Sequence, residues 1–423
     1  MEKKKIYYGW FIVAACVLMT FVALGLGNST KGLYVTPITE ELGISRGLFT
    51  ITFSIREVVK AFANILFGAI AVRLGTRKVA TLGFFCLAIS FTLFAVSSSL
   101  WVFYAAGLFL GVGITFTSTA TVSSVVNKWF VEQRGTVMGI IFAASGLGGS
   151  VFSILVGSWI ENHGWRVSYG ITAGIMLLMM IPMFLVLRNS PSDLGLKAYG
   201  EGKEVQTKKR KTVTWQGDSP EVLLRKPYFY MAAFGAFTFG LLTNPVVVSF
   251  PAHLTDLGMD AGFVAGASGI MYLVLAGAKI IVGRVYDKFG LRVSLVLCYA
   301  TNIAGILLLL NAQNPIMAYV FVIIFAFSLP LETLMVPLLI NDLFGQKSYN
   351  HFVGIFLALM SIGIAVGTPV LNFCYDLFGS YHAALIIFVI LSVLAFAMLL
   401  YCTHVASKKH AVELKMAETA ENN

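Results

Sequence analysis

The chain has 423 residues, of which 58% are hydrophobic and only 12% are charged, and its mean hydropathy is +0.83. Soluble domains carry about 25% charged residues, so this composition excludes an ordinary soluble protein and predicts an integral membrane protein. The net charge of +10 alone would suit nucleic acid, but the basic residues follow membrane topology, as counted below, and we expect no nucleic-acid partner. The five cysteines lie in apolar stretches without metal-site spacing, and we expect no metal or other cofactor.

Twelve apolar runs are long enough to cross a bilayer as helices, which takes about 20 residues each. In chain order they span 8–36, 47–72, 78–98, 101–126, 135–159, 166–187, 227–251, 262–286, 292–311, 315–342, 351–376 and 380–402. The first run is long, and we expect it to tilt or break near Asn28 or Pro37. The predicted fold class is an all-α membrane protein with twelve transmembrane helices.

Lys and Arg in the loops predict the orientation of the helices, because short cytoplasmic loops are enriched in both. With a cytoplasmic N-terminus, the inner segments hold 24 of the 30 basic residues and the outer loops hold only Arg46 and Arg166. The other four lie inside the apolar runs. We therefore expect a multi-pass protein of the plasma membrane with both termini in the cytoplasm.

One long polar insertion, residues 188–226, separates the helices into two groups of six. It contains the basic run 208–211 and is interpreted as a cytoplasmic linker that meets anionic lipid, with a protein-binding segment as the alternative. The predicted domains are an N-terminal six-helix bundle (1–187), this linker, a C-terminal six-helix bundle (227–402) and a cytoplasmic tail (403–423).

The two groups repeat at an offset of 215 residues. Residues 68–77 correspond to residues 283–292, and Gly139 and Gly164 correspond to Gly354 and Gly379. A parallel repeat of six helices is the construction of the major facilitator superfamily, in which the substrate binds near the midplane between the halves. The sequence therefore predicts two pseudo-symmetric bundles of that fold.

Residues 283–292 also resemble the loop signature of this superfamily, G-x-x-x-D-[RK]-x-G-x-[RK]. The resemblance implies a gating role for both copies, although Val72 replaces the acidic residue in the first. The alternative is that their charges only set topology. The implied gating residues are Gly68, Arg73, Gly75 and Arg77, followed by Gly283, Arg284, Asp287, Gly290 and Arg292.

Six charged side chains lie inside the predicted helices, where each costs roughly 2.5–3.5 kcal/mol on insertion scales. None has a charged counterpart at the 215-residue offset, which favours a role in substrate binding or coupling over a role in the scaffold. Their basic excess predicts a water-accessible cavity suited to an anion. They are Lys31, Arg56, Glu57, Lys60, Lys279 and Glu332.

Four segments, at 7–10, 129–139, 164–166 and 375–381, resemble the monocarboxylate-porter and oxalate/formate antiporter families. The resemblance implies transport of small carboxylates, with a proton or by exchange. It also implies a basic residue of helix 8 that meets the carboxylate, which here is Lys279 in place of the usual Arg. Lys31 lies near a lysine that the porters carry in helix 1.

These patterns predict a secondary active transporter of small organic anions, and not an enzyme, with a monocarboxylate–proton symporter as the preferred form acting as a monomer. Glu57 or Glu332 is predicted to carry the proton. The alternatives are a carboxylate exchanger, an exporter of drugs or other solutes, and a non-transporting sensor. The predicted substrate-binding residues are Lys279, Arg56, Lys31, Lys60, Asn28 and Tyr272.

The same charges also have structural interpretations. Arg56, Glu57 and Lys60 can form an internal ion-pair cluster that only joins helices. Lys279 and Lys31 can extend to the membrane interface, since long basic side chains bury their stems while the ammonium reaches water. Both sets of interpretations stay open at this point.

Overall fold

The structure, a computed structural model, describes residues 7–130, 134–200 and 217–421. The basic run 208–211 and most of the predicted linker lie outside the described residues. The described part of the chain is helical almost throughout, and it contains no β-strand beyond one isolated bridge between Phe130 and Tyr199.

Within the described residues, twelve helices are long enough to cross a bilayer, as predicted. Two pairs run on without a break in hydrogen bonding and bend where Gly164 and Gly290 adopt positive φ angles of 81° and 80°, which favour glycine. The helices are α1 (Gly9–Leu42), α2 (Arg46–Leu74), α3 (Thr76–Val96), α4 (Leu100–Trp129), α5 and α6 (Arg134–Val186, meeting at Gly164), α7 (Pro227–Asp256), α8 and α9 (Ala261–Leu310, meeting at Gly290), α10 (Pro315–Phe344), α11 (Gln346–Phe378) and α12 (His382–Glu421). Short helical turns at Pro191–Leu194 and Pro220–Leu223 lie between α6 and α7.

Helix α1 breaks at one of its two predicted positions. A π-helical segment, Phe21–Leu26, is followed by a turn that contains Asn28, and the chain resumes as a 3₁₀ turn at Lys31–Tyr34. Pro37 causes no break, because it is the third residue of the regular helix Val35–Leu42, where no partner is needed for its missing N–H. The turn frees polar backbone and side-chain groups in the middle of an apolar helix.

Helix α10 is irregular between Pro330 and Pro337. The α-helix Pro315–Ala326 gives way to a π-helical segment, Leu331–Met335, before Val336–Phe344 continues as α-helix. Such segments are rare and frequently occur at functional sites. Glu332 is the second residue of this π-helical segment.

The chain forms two compact units. The first contains residues 1–204 together with 248–276, and the second contains 205–247 together with 277–423. Residues 248–276, the end of α7 and the first half of α8, thus pack with the N-terminal helices. The predicted domain boundaries at 187 and 227 stay a prediction.

Tyr7 and Tyr8, in the motif at residues 7–10, hydrogen-bond to the end of α6 and to the chain that follows it. The Tyr7 hydroxyl donates to the carbonyl oxygens of Trp129 (3.2 Å) and Lys197 (3.0 Å). The Tyr8 hydroxyl donates to the carbonyl of Val186 at 2.9 Å, and the amide of Tyr199 donates to the carbonyl of Trp129 at 2.9 Å. The motif therefore has a structural function at this end of the bundle.

Glycines of α5 allow α1 to approach it closely. A Cβ atom placed on Gly148 would lie 2.2 Å from the carbonyl oxygen of Phe21, at the start of the π-helical segment. A Cβ atom placed on Gly25 would lie 2.5 Å from the carbonyl carbon of Gly148. The two helices are in backbone contact here and cannot accept a methyl group without moving apart.

We expect Gly148→Ala to lower the thermal stability of the purified protein by about 1–3 kcal/mol, the usual cost of overpacking. The matched control is Gly170→Ala on α6, where nothing lies within 4 Å of the added methyl group. Thermal unfolding in detergent measures both. Equal shifts for the two variants would contradict the close contact.

Candidate functional site

Three of the charges inside the membrane form one ion-pair chain on α2. The Glu57 carboxylate bonds to the Arg56 guanidinium through one oxygen and to the Lys60 ammonium through the other. Arg56 and Glu57 are 2% and 1% exposed, whereas Lys60 is 24% exposed and can be reached from outside the cluster. Two cations thus share one buried carboxylate.

The broken part of α1 adds two predicted residues to this cluster. Asn28 accepts a hydrogen bond from Nη1 of Arg56 through its side-chain oxygen. Lys31 is buried, interacts electrostatically with Glu57, and has its Nζ 5.8 Å from the Phe53 ring centroid. Because the helix is interrupted between these two residues, both can turn towards α2, and Asn28, Lys31, Arg56, Glu57 and Lys60 come together.

Tyr272, on α8, meets the same turn of α1. Its hydroxyl donates to the carbonyl oxygen of Ser29 at 2.9 Å, next to Asn28. The contact depends on Gly149 of α5, where a Cβ atom would lie 2.8 Å from the Tyr272 ring and 2.9 Å from the Ser29 hydroxyl. Tyr272 therefore adjoins the cluster and also satisfies a carbonyl that the turn leaves without a helical partner.

Lys279 and Glu332 belong to a second polar cluster, in the second unit. The side-chain amide of Asn244 donates to both Glu332 oxygens, at 3.2 and 3.5 Å, and the Thr243 hydroxyl lies 3.4 Å from one of them. Lys279 interacts electrostatically with Glu332 without a direct ion pair, and both side chains are partly exposed. The neutral amide of Asn244 therefore holds the acid, and the lysine beside it is partly exposed.

Gly75, Arg77 and Gly290, three of the predicted gating residues, lie at helix ends that the predicted topology places on the inner side. Gly75 and Gly290 both have positive φ angles, 78° and 80°, and each connects two helices. Arg77 donates from Nε to the carbonyl oxygen of Phe184 at 2.5 Å, and its backbone amide donates to the Asn189 side chain at 3.1 Å. Arg77 thus joins the start of α3 to the end of α6.

The remaining predicted gating residues are divided between the two copies of the loop. Gly68 lies within α2 and Gly283 lies within α8. Arg73, Arg284, Asp287 and Arg292 are exposed at helix ends. Their gating role stays a prediction.

Two ion pairs on the side that the topology prediction places outside were not predicted. Nη1 and Nη2 of Arg46 donate to the two carboxylate oxygens of Asp256 at 2.6 and 2.8 Å, joining the start of α2 to the end of α7. Arg166 pairs with Glu41, which also accepts from the Trp165 indole at 2.6 Å. The only sequence signal was that these two arginines are the sole basic residues of the predicted outer loops.

We expect Arg46→Gln to lower the free energy of unfolding by about 1.5–3 kcal/mol, since its charged hydrogen bonds to Asp256 are largely sheltered from water. The side chains are 7% and 21% exposed. The control is Arg166→Gln, which removes a pair exposed by 38% and 51% and should cost less than about 1 kcal/mol. In thermal unfolding, the double variant Arg46→Asp with Asp256→Arg should recover part of the loss, and a double variant no better than the singles would contradict pairing.

The chain is similar to known membrane transporters over nearly its full length. A family model described as Major Facilitator Superfamily matches residues 13–340 and 232–419. The chain is 24% identical to the oxalate:formate antiporter of Oxalobacter formigenes, over 92% of this chain and 90% of that protein. It is 23% identical to the hexuronate transporter of Bacillus subtilis, over 86% and 87% of the two chains.

Solved structures share the fold. A bacterial homologue of the human lysosomal transporter Spinster superimposes with a TM-score of 0.74 at 14% identity, covering 96% of this chain and 99% of that one. A D-xylose–proton symporter superimposes with a TM-score of 0.68 at 13% identity, covering 93% and 97%. At these identities the similarity establishes the arrangement of helices.

Proposed function

Because the chain belongs to the major facilitator superfamily, and is therefore a transporter and not an enzyme, we propose that it carries small organic anions across the membrane. The family model confirms the predicted superfamily, and the similarity to an oxalate:formate antiporter and to a hexuronate transporter supports its organic-anion branch. The preferred form is a monocarboxylate–proton symporter that works by alternating access as a monomer of the plasma membrane. Its partners are then a small carboxylate, protons and the lipid bilayer.

The observation that carries this proposal is the cluster on α1 and α2. Arg56 and Lys60 bond to the one carboxylate of Glu57, and Lys31 is close enough to interact with it. Three cations surround one acid inside a transmembrane bundle, where a charge without a counter-ion is costly. An incoming carboxylate supplies the counter-charge, and the buried Nε of Arg56 is a donor without a partner among the described residues.

We assign the remaining substrate contacts by chemistry. Lys279 is partly exposed and has no direct ion pair with Glu332, so its ammonium can meet a carboxylate as a point charge. Asn28 orients Arg56, and Tyr272 supports the turn that carries Asn28. Lys31 and Lys60 add to the positive potential that attracts the anion.

Of the two predicted proton carriers, Glu332 is the better supported. Glu57 is bonded to two cations and so already serves as their counter-ion. Glu332 has neutral donors, Asn244 and Thr243, as its hydrogen-bond partners and is partly exposed. We propose that Glu332 takes up the coupled proton and that Glu57 remains a counter-ion.

A carboxylate exchanger is the second candidate. It is favoured by the similarity to the oxalate:formate antiporter over most of both chains. In an exchanger one anion leaves as another enters, so the cluster retains its counter-charge without a proton.

Uptake into proteoliposomes tests the proposal. The purified protein is given labelled monocarboxylates and dicarboxylates one at a time, with and without an inward proton gradient. Accumulation that requires the gradient supports symport, whereas counterflow that is independent of pH supports exchange. If no carboxylate is transported or competes, the proposed substrate class is wrong.

A further inference from the structure

A surface groove of about 390 Å³ lies between α3 and α6 in the first unit. Its α3 residues fall at spacings of three, four and seven, and its α6 residues are four apart, so each set lies on one helix face. Leu82, Phe85 and Phe184 are exposed, and in a transmembrane bundle such apolar side chains face lipid. The lining residues are Lys78, Thr81, Leu82, Phe85, Met180 and Phe184.

Lys78 stands at the polar end of this groove. It is the third residue of α3, next to the boundary between the apolar helix and its basic loop. Its side chain is exposed and makes no hydrogen bond or ion pair with the described part of the chain. From Lys78 to Phe85 the helix rises about 10 Å, at 1.5 Å per residue. The groove therefore has a cationic end and an apolar floor.

The neighbouring Arg77 adds positive charge beside the groove, and its Nε is engaged by α6. Its guanidinium carbon lies 4.0 Å from the centroid of the Phe184 ring, and its Nε donates to the Phe184 carbonyl. These contacts hold the end of α6 against the start of α3 and so shape the groove. None of the lining residues is acidic, so nothing in the groove opposes an anionic headgroup at Lys78.

We propose that this groove binds an anionic phospholipid of the cytoplasmic leaflet. The phosphate pairs with Lys78, and an acyl chain lies along Leu82, Phe85 and Met180. Basic residues beside transmembrane helices on the cytoplasmic side attract anionic headgroups, and the predicted topology places the start of α3 there. The site faces the bilayer and is independent of the identity of the transported anion.

Native mass spectrometry of the purified full-length protein tests this site. Phosphatidylglycerol and phosphatidylcholine with identical acyl chains are added separately to the detergent-solubilised protein. We expect Lys78→Gln to lower phosphatidylglycerol occupancy about fivefold, which is about 1 kcal/mol, and to leave phosphatidylcholine occupancy unchanged. The matched control is Lys288→Gln, which removes an exposed lysine near the bend between α8 and α9 and should bind as the parent does.

A second pair of variants tests the apolar floor. Leu82→Trp fills the groove without changing charge and should reduce retention of both lipids. Leu307→Trp, at another exposed apolar position, should retain them. Thermal unfolding of each variant checks folding, and phosphatidylglycerol should raise the unfolding temperature of the parent more than that of Lys78→Gln.

Three results would overturn the proposal. In the first, Lys78→Gln retains phosphatidylglycerol as the parent does. In the second, Lys288→Gln loses as much as Lys78→Gln, which would indicate a general effect of net charge. In the third, the parent binds both lipids equally, which would make the groove an ordinary lipid-facing surface.

Discussion

Replacing Lys279 with Gln should lower carboxylate uptake at least tenfold, with most of the loss in KM if the ammonium binds substrate directly. A hydrogen bond to a charged group contributes about 1.5–3 kcal/mol, and 1.4 kcal/mol corresponds to tenfold. The accessible position of Lys279, with Glu332 near but not in direct contact, leaves its charge available. Uptake by the purified variant in proteoliposomes measures the effect.

Two controls separate this role from a lysine that only reaches the membrane interface. Lys279→Arg keeps the charge and should retain much of the activity. Lys408→Gln removes an exposed charge on α12, outside the predicted gating loops, and should leave uptake unchanged. If Lys279→Gln transports as the parent does, Lys279 is not a substrate contact.

Replacing Glu57 with Gln should destabilise the protein by about 3–5 kcal/mol, because it leaves the buried Arg56, and the partly exposed Lys60 beside it, without their carboxylate. Removing Lys60 as well, in Glu57→Gln with Lys60→Met, should restore part of the stability, since fewer uncompensated charges remain. Glu40→Gln, at an exposed position of α1, is the control and should change stability by less than about 0.5 kcal/mol. Thermal unfolding of the purified variants measures all three.

The same variant tests the cluster as an anion site. If substrate anions use these cations, added carboxylate should raise the unfolding temperature of Glu57→Gln more than that of the parent, because the added anion takes the place of the lost one. A variant as stable as the parent without added anion would show that the three residues do not depend on one another. Equal stabilisation by the anion would argue for a purely structural ion pair.

The twelve helices and their class were predictable because membrane burial imposes a local rule. About 20 apolar residues are needed at each crossing, so the hydropathy of each local stretch indicates whether it can span the membrane. Helix α2 was the difficult case, since its charges lower its hydropathy, and it is not among the nine stretches that meet a strict apolar criterion within the described residues. Apolar residues flank these charges on both sides, and the whole stretch 47–72 is therefore predicted to span the membrane.

The composition of the charge cluster was also predictable, but its partners were not. Spacing along α2 placed Arg56, Glu57 and Lys60 on neighbouring faces. The contact of Arg56 with Asn28 requires the turn in α1. The sequence predicts a break in this helix but offers two positions for it, Asn28 and Pro37. The outer pair of Arg46 and Asp256 lies 210 residues apart in sequence, and no local pattern connects them.

The sequence by itself determined that this protein is a twelve-helix transporter with an internal repeat and six charges inside its helices. These properties follow from hydropathy, loop charge and periodicity, which depend on residues near one another in the chain. The tertiary structure decided which charges meet: Glu57 lies between two cations, whereas Glu332 has neutral donors. A charge inside the membrane requires a partner, because it is costly alone. Which residue becomes that partner depends on packing between distant helices and on breaks in their backbone.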